Sequence, residues 1–176
     1  MKLKAILLSS LDGVSNQGEA EDHHAWTSKE DQEIFLKERD LAPLIIMGSR
    51  TYEAQKPFMV HTEGKLRVIM TRNPKKYDDD KIPGKLEFTN ENPSDLLQRL
   101  EKNGFSEGIM VGGAHTTTGF LKEGLIAEIC LTIEPWIKGE GLHMVTEKMD
   151  IPLKLLSSER LNEQGTLLLR YSVGGV

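Results

Sequence analysis

The sequence predicts an α/β domain with a mainly parallel central sheet, helices on both faces and an antiparallel hairpin at the C-terminal edge. Three observations predict it. The short apolar runs Leu44-Ile45-Ile46-Met47, Leu66–Met70 and Ile109-Met110-Val111 have the length and composition of strands buried on both faces. Two of them run straight into glycine and a polar helix start, at Gly48-Ser49-Arg50-Thr51 and at Gly112-Gly113-Ala114-His115-Thr116. Residues 153–161 and 166–173 flank Asn162-Glu163-Gln164-Gly165, a turn of hairpin type.

The chain has 176 residues, enough for one domain with a sizeable core, and it is read as a single domain over 1–176. Its formal net charge of −5 argues against a general nucleic-acid or anionic-membrane binder, so any anionic ligand needs a local cationic site. The single cysteine, Cys130, makes no intrachain disulfide, which fits a reducing cytoplasm. The basic-then-apolar start is too short for a signal-peptide core and reads as a first strand, and no run is long enough to cross a bilayer.

Taken in order, residues 3–10 form that strand, and Asp12-Gly13 ends it with turn chemistry. Residues 14–25 read as a polar loop of the length expected for a lid or binding loop. Its Glu21-Asp22-His23-His24 run is rich in metal-ligand types, but adjacent histidines lack the spacing that puts two ligands on one helix face, so a solvated loop is preferred and no metal is expected. After Trp26, Thr27-Ser28-Lys29-Glu30 matches a capping box and opens a helix to about Arg39. Asp31, Ile34 and Phe35 share one face of it. Asp31 then has two readings: a carboxylate on an apolar face with a chemical task, or a first-turn acid that stabilises the helix dipole.

The next two strands end at Arg50 and at Thr71-Arg72, which places both arginines just past a strand's C-terminal end, the ligand-binding edge of open α/β sheets. A solvated surface charge is the plain alternative for each. Residues 86–89 form a weaker strand, and Asn92-Pro93 caps a helix with Leu96, Leu97 and Leu100 on its apolar face. After Gly112 and Gly113 comes a short helix with a threonine-rich first turn suited to capping, stopped by Gly124. A glycine turn at a helix start leaves backbone N–H groups open to a phosphate, although a plain strand-to-helix turn explains the same residues. Residues 128–133 form a strand, and 135–141 a loop carrying Trp136, Gly139 and Gly141.

The chain lacks the phosphate loop of kinases and ATPases, the G-x-G-x-x-G dinucleotide fingerprint and the G-x-S-x-G serine elbow. What it does contain, in order, is Ser10-Leu11-Asp12-Gly13, Trp26 before a capped helix, Met47-Gly48-Ser49-Arg50-Thr51-Tyr52-Glu53, Thr71-Arg72, Val111-Gly112-Gly113, and the run from Leu125 to Gly141. These segments together resemble the dihydrofolate reductase superfamily over nearly the whole chain. Gly119 to Glu128, then Pro135 and Gly139-Glu140-Gly141, looks most like its RibD C-terminal (riboflavin-biosynthesis reductase) branch.

That resemblance implies an NADPH-dependent reductase delivering hydride to a pyrimidine ribosylamine phosphate or a related heterocycle. Gly48, Arg50, Thr51, Thr71, Arg72, Gly112, Gly113, His115 and Thr116 would line the NADPH site, and Ser10, Asp12, Trp26 and Phe35 the substrate site. Asp31, five residues after Trp26, stands where dihydrofolate reductases carry the acid that supports protonation at nitrogen. The resemblance also implies a cytoplasmic homodimer, with Trp136 at or near its interface. Departures bear on the substrate: Val14 replaces a lysine usual after Ser-Leu-Asp-Gly in riboflavin reductases, Val111 a glutamate often found before their glycine pair, and Ser49 an arginine common in dihydrofolate reductases. Alternatives are a dihydrofolate (pteridine) reductase, a non-catalytic NADPH-binding module, and an assembly protein using the 135–141 loop and the hairpin.

Overall fold

The computed structural model describes residues 1–16 and 26–174. Glu21-Asp22-His23-His24, and the part of the expected 14–25 loop from 17 onward, lie outside the described residues. Strand β1 (Lys2–Ser10) leads through a turn to a short β2 (Val14–Asn16). Helix α1 (Lys29–Leu41), β3 (Leu44–Gly48), α2 (Ser49–Gln55), β4 (Leu66–Met70), β5 (Leu86–Thr89), α3 (Pro93–Lys102), β6 (Glu107–Val111), α4 (Ala114–Lys122), β7 (Glu128–Glu134), β8 (Leu142–His143), β9 (Leu153–Arg160) and β10 (Leu167–Val173) follow.

Eight strands form one sheet in the order β5-β4-β3-β6-β1-β7-β10-β9. The six from β5 to β7 are parallel, and β10 and β9 add an antiparallel edge. The parallel strands are near-continuous apolar runs because both faces are covered. On one face α3 and α4 bury Leu96, Leu97, Leu100, Phe120 and Leu121 against Leu3, Ala5, Ile46, Val68 and Met110. Full burial of each such leucine contributes about 1.5–3 kcal/mol. The other face packs Ile45, Met47, Ile69 and Val111 with Tyr52 of α2, Tyr77 and Phe88. Tyr77 and Phe88 stack at 4.6 Å, and Tyr52 meets both edge-on.

Helix α1 docks differently. None of its residues is fully buried, so the apolar face drawn through Asp31, Ile34 and Phe35 is only half covered. Glu38 instead accepts hydrogen bonds from Lys4 on β1 (3.0 Å) and Arg170 on β10 (2.9 Å). Burial pushes the Glu38 carboxyl up, but those two cations outweigh it and hold the group below its usual range.

Three local expectations need correction. The N-cap of α1 is Ser28, which accepts from the Asp31 N–H (3.2 Å), so the cap lies one residue later than a box beginning at Thr27. The α4 threonines do not cap: Gly113 is the N-cap with no side-chain bond. Thr118 instead donates back to the Ala114 carbonyl at 2.7 Å. The polar 14–25 loop begins as a strand, because Val14 is buried and β2 pairs with β8, a partner over a hundred residues away that no local pattern reveals.

Candidate active site

All six parallel strands point their C-terminal ends to one edge, and the residues read from the sequence gather along it. Met47 pairs with Val111, so the glycines that follow on β3 and β6 are neighbours. The two junctions interlock. A Cβ at Gly48 would lie 2.7 Å from Thr116 Oγ1, and Cβ atoms at Gly112 and Gly113 would sit 3.6 and 3.5 Å from Thr51 Oγ1. Gly112 and Gly113 also hold φ of 55° and 82°, a region that other residues adopt only with strain. Gly48 and Gly113 are the N-caps of α2 and α4, and neither helix start carries a side-chain cap bond. Their first-turn N–H groups therefore face outward from adjacent strands without side-chain acceptors, the arrangement that suits phosphate oxygens.

Gly48 pairs with Met70, so Arg50 and Arg72 each lie two residues beyond matched positions on neighbouring strands. Both are exposed. Thr71 donates its N–H to the Thr89 carbonyl (2.9 Å) and accepts from Asn73 N–H through its hydroxyl (3.3 Å). His115, in the first turn of α4, is exposed with Nδ1 3.3 Å from Thr146 Oγ1. This donor set fits a dinucleotide phosphate: two uncapped helix starts, glycine-lined backbone and two exposed guanidiniums.

A second constellation sits where α1 meets the end of β7. Ser10 and Glu134 are register partners on β1 and β7. Glu134 is 2% exposed and accepts from the Ser28 N–H (2.7 Å) and the Thr166 hydroxyl (2.7 Å). Buried carboxylates need such donors, and here they come from two distant segments, the start of α1 and the residue just before β10. Asp31 leans into the same place. Its pKa is pushed up to about 6, chiefly by burial, with Glu134 adding like-charge repulsion and a hydrogen bond from Thr132 pulling the other way. Asp31 therefore takes up its proton at about pH 6, well above the range of a solvated first-turn acid. Phe35, one turn along, packs half-buried against the core.

The remaining residues assigned to the substrate side build the rim. The Ser10 hydroxyl bonds to Asp12 (2.5 Å) and accepts from the Val14 N–H (3.0 Å). Asp12 accepts from the backbone N–H groups of Lys138 (3.1 Å) and Gly139 (2.6 Å), and the Ser10 hydroxyl with these backbone donors holds it down at about 2. Its carboxylate is thus engaged in fastening the 135–141 loop. Trp26 is buried, with Lys138 Nζ 4.2 Å above its ring centre. Glu134, Thr132 and Lys138 were not singled out from sequence. Each acquires its place through register or loop packing, and only the polar interruptions of an otherwise apolar β7 hinted at the first two.

The family model for the RibD C-terminal domain matches residues 2–167. The Bacillus subtilis protein YwjB is 29% identical over 115 residues, covering 62% of this chain and 64% of that protein's length. A pyrimidine reductase-like protein from Corynebacterium diphtheriae superposes with a TM-score of 0.79 at 15% identity, over 98% of this chain and 91% of its own. The diaminohydroxyphosphoribosylaminopyrimidine deaminase/5-amino-6-(5-phosphoribosylamino)uracil reductase of Thermotoga maritima gives a TM-score of 0.75 at 15% identity, over 98% of this chain and 56% of its own. Those two likenesses establish the fold. Among the described residues no helix is long and apolar enough to cross a membrane.

Proposed function

Because the chain belongs to the RibD C-terminal domain family, we propose that it is an NADPH-dependent reductase that acts on a pyrimidine ribosylamine phosphate or a closely related heterocycle. The observation that carries this reading is Asp31, a carboxyl whose proton affinity burial raises to about 6 at the C-terminal edge of the sheet, on the same edge as the paired glycine junctions.

The dihydronicotinamide, when bound, supplies the hydride. Gly48, Gly112 and Gly113 let its phosphates approach the backbone, and Thr51 and Thr116 pack the two junctions together beneath them. Arg50 and Arg72 supply the local positive charge that a 2′-phosphate needs in a chain of net charge −5. Asp31 holds a proton at its carboxyl and presents it toward the substrate nitrogen, whose negative charge grows as the neighbouring carbon is reduced. Thr132 orients that carboxyl, and burial, with like-charge repulsion from Glu134 added, raises its affinity for the proton. The same division of labour serves a C=N bond in an open-chain ribosylimine or in a pteridine ring. A homodimer is part of the proposal.

Loss of NADPH absorbance tests the reading, with 5-amino-6-(5-phosphoribosylamino)uracil and dihydrofolate as separate acceptors. Turnover of the first supports it; turnover of dihydrofolate alone moves the protein to the pteridine reading. Tight NADPH binding without turnover of either leaves a binding module.

A further inference from the structure

The turn that joins β9 to β10 reaches back to the start of α1. Asn162 opens this turn, and both ends of its amide are engaged. Oδ1 accepts from the Gly165 N–H (3.1 Å) and the Thr166 N–H (3.0 Å), the usual way an asparagine side chain shapes a turn. Two backbone donors on that side identify the other atom as Nδ2. Nδ2 donates to Glu30 Oε2 on α1 (3.1 Å) and to Thr166 Oγ1 (2.9 Å). The turn is formed by the first pair of bonds, whereas the second pair ties it to another element.

The bonds continue from Thr166. Its single hydroxyl hydrogen goes to Glu134 Oε2 (2.7 Å), which leaves the oxygen to accept from Asn162. The other oxygen of Glu134 accepts from the Ser28 N–H (2.7 Å), and Ser28 Oγ accepts from the Asp31 N–H (3.2 Å) as the cap of α1. Ser28 and Glu30 belong to one turn of backbone, so Glu30, Asn162, Thr166, Glu134 and Ser28 close into a ring. Thr166 and Glu134 are 1% and 2% exposed, so water does not replace the bonds between them. The Asn162 bond, with smaller help from the Glu30 N–H and Lys29, draws the exposed Glu30 carboxyl below its usual range. Apolar packing does little to fix this end of α1, because none of the helix is fully buried. The ring supplies that constraint.

We propose that Asn162 and Thr166 are positioning residues: through Glu30, Glu134 and Ser28 they hold the first turn of α1 where Asp31 meets the substrate. The role toward substrate rests on the reductase reading; the hold on α1 does not.

The test follows the aspartate carboxyls by carbon-13 NMR against pH in the parent, Asn162→Ala, Thr166→Val and Thr166→Ser, with Asp31→Asn to identify the Asp31 signal. Burial is the main cause of the raised Asp31 midpoint, with Glu134 on β7 the charged group beside it, so a first turn released from the ring admits water and lowers the midpoint from about 6 toward 3.8. Asn162→Ala and Thr166→Val should each lower it by at least about half a pH unit, while Thr166→Ser, which keeps the hydroxyl, should leave it in place. Asp12, whose donors are Ser10, Gly139 and Lys138, should stay at about 2 throughout. In the NADPH assay the first two variants should lose kcat about tenfold with little change in NADPH affinity. A merely structural turn would lower Tm in Asn162→Ala and leave the Asp31 midpoint where it is. That result, or a Thr166→Ser that behaves like Thr166→Val, overturns the proposal. So does an unchanged kcat in Asn162→Ala when the parent turns over. Should Thr166→Val fail to fold, Asn162→Ala at its half-buried position decides alone. Absence of turnover in the parent would remove the reductase reading, and the Asp31 titration would still judge the ring.

Discussion

Asp31 on α1 and Glu134 on β7 are carboxyls crowded into one buried corner, yet their surroundings differ sharply. Glu134 is satisfied by Ser28 N–H and the Thr166 hydroxyl, while Asp31 is desolvated and pushed up to about 6. A carboxyl whose proton affinity burial raises, beside a second acid, is a common mark of an assigned chemical role.

Replacing Asp31 by Asn should lower turnover by roughly a hundredfold or more while NADPH binding persists. The same change should stabilise the fold. A carboxyl whose folded pKa is raised from 3.8 to about 6 binds its proton more tightly in the native state, so stability falls as pH rises through that interval. Above about pH 6 Asn should therefore raise stability by up to ~3 kcal/mol, several degrees in Tm, and below about pH 4 the difference should vanish. Thermal melts at both ends of the range check this; a variant that is less stable at pH 8 contradicts it.

If the protonated form of Asp31 is the working one, kcat/KM should decline as pH rises past about 6. Glu134→Gln removes the like charge and should move that descending limb to lower pH. The amide can still accept from Ser28 and meet the Thr166 hydroxyl, so the corner stays filled. A limb that does not move in the Gln variant would detach Glu134 from the tuning of Asp31.

Arg50→Ala and Arg72→Ala should each weaken NADPH binding by about ten- to a hundredfold, the loss expected for one charge-assisted phosphate contact, with little effect on NADH. Parallel titrations of the two cofactors measure the discrimination directly. Equal affinity of the unaltered protein for NADH and NADPH would remove the clamp role from both arginines.

Strand β9 is exposed along all eight residues, including Leu153, Leu155 and Leu156, and among the described residues no strand pairs with its outer edge. Trp136 and Ile137 are also exposed, at 51% and 71%. An uncovered, leucine-bearing edge of this length favours pairing with another chain. Light scattering should give a dimer mass, and Leu155→Lys with Leu156→Lys should yield monomers that keep NADPH binding. A concentration-independent monomer mass in the unaltered protein would oppose this, and a dimer that dissociates only in Trp136→Ala would place the contact on the loop instead.

What the sequence made legible was whatever short-range chemistry dictates. Glycines at 48, 112, 113 and 124, the Asn92-Pro93 helix start and the Gly165 turn each impose a local geometry, and the strand–glycine–helix order follows from them. Asp31 was visible as an oddity of spacing. Its raised pKa was not, because that comes chiefly from burial set by the tertiary fold, with Glu134, a hundred residues further on, adding to it. Nor does any local signal say that Asp12 fastens Lys138 and Gly139, that Val14 pairs with His143, or that α1 is held by Glu38 between Lys4 and Arg170. Polar contacts between distant segments leave no periodicity to read.

Strand β1 has a consequence for how the protein is made. It precedes both of its partners in the chain by more than a hundred residues, yet it lies in the interior of the sheet, pairing with β6 from Lys2↔Glu107 onward and with β7 from Lys4↔Glu128 onward. Its apolar residues Leu3, Ala5 and Leu7 therefore wait, unpartnered by their final neighbours, until most of the chain has left the ribosome. Contacts of such sequence separation carry a large loop-closure cost before they return any stability, so refolding should be slow for a domain of this size, with sheet closure around β1 as its late event.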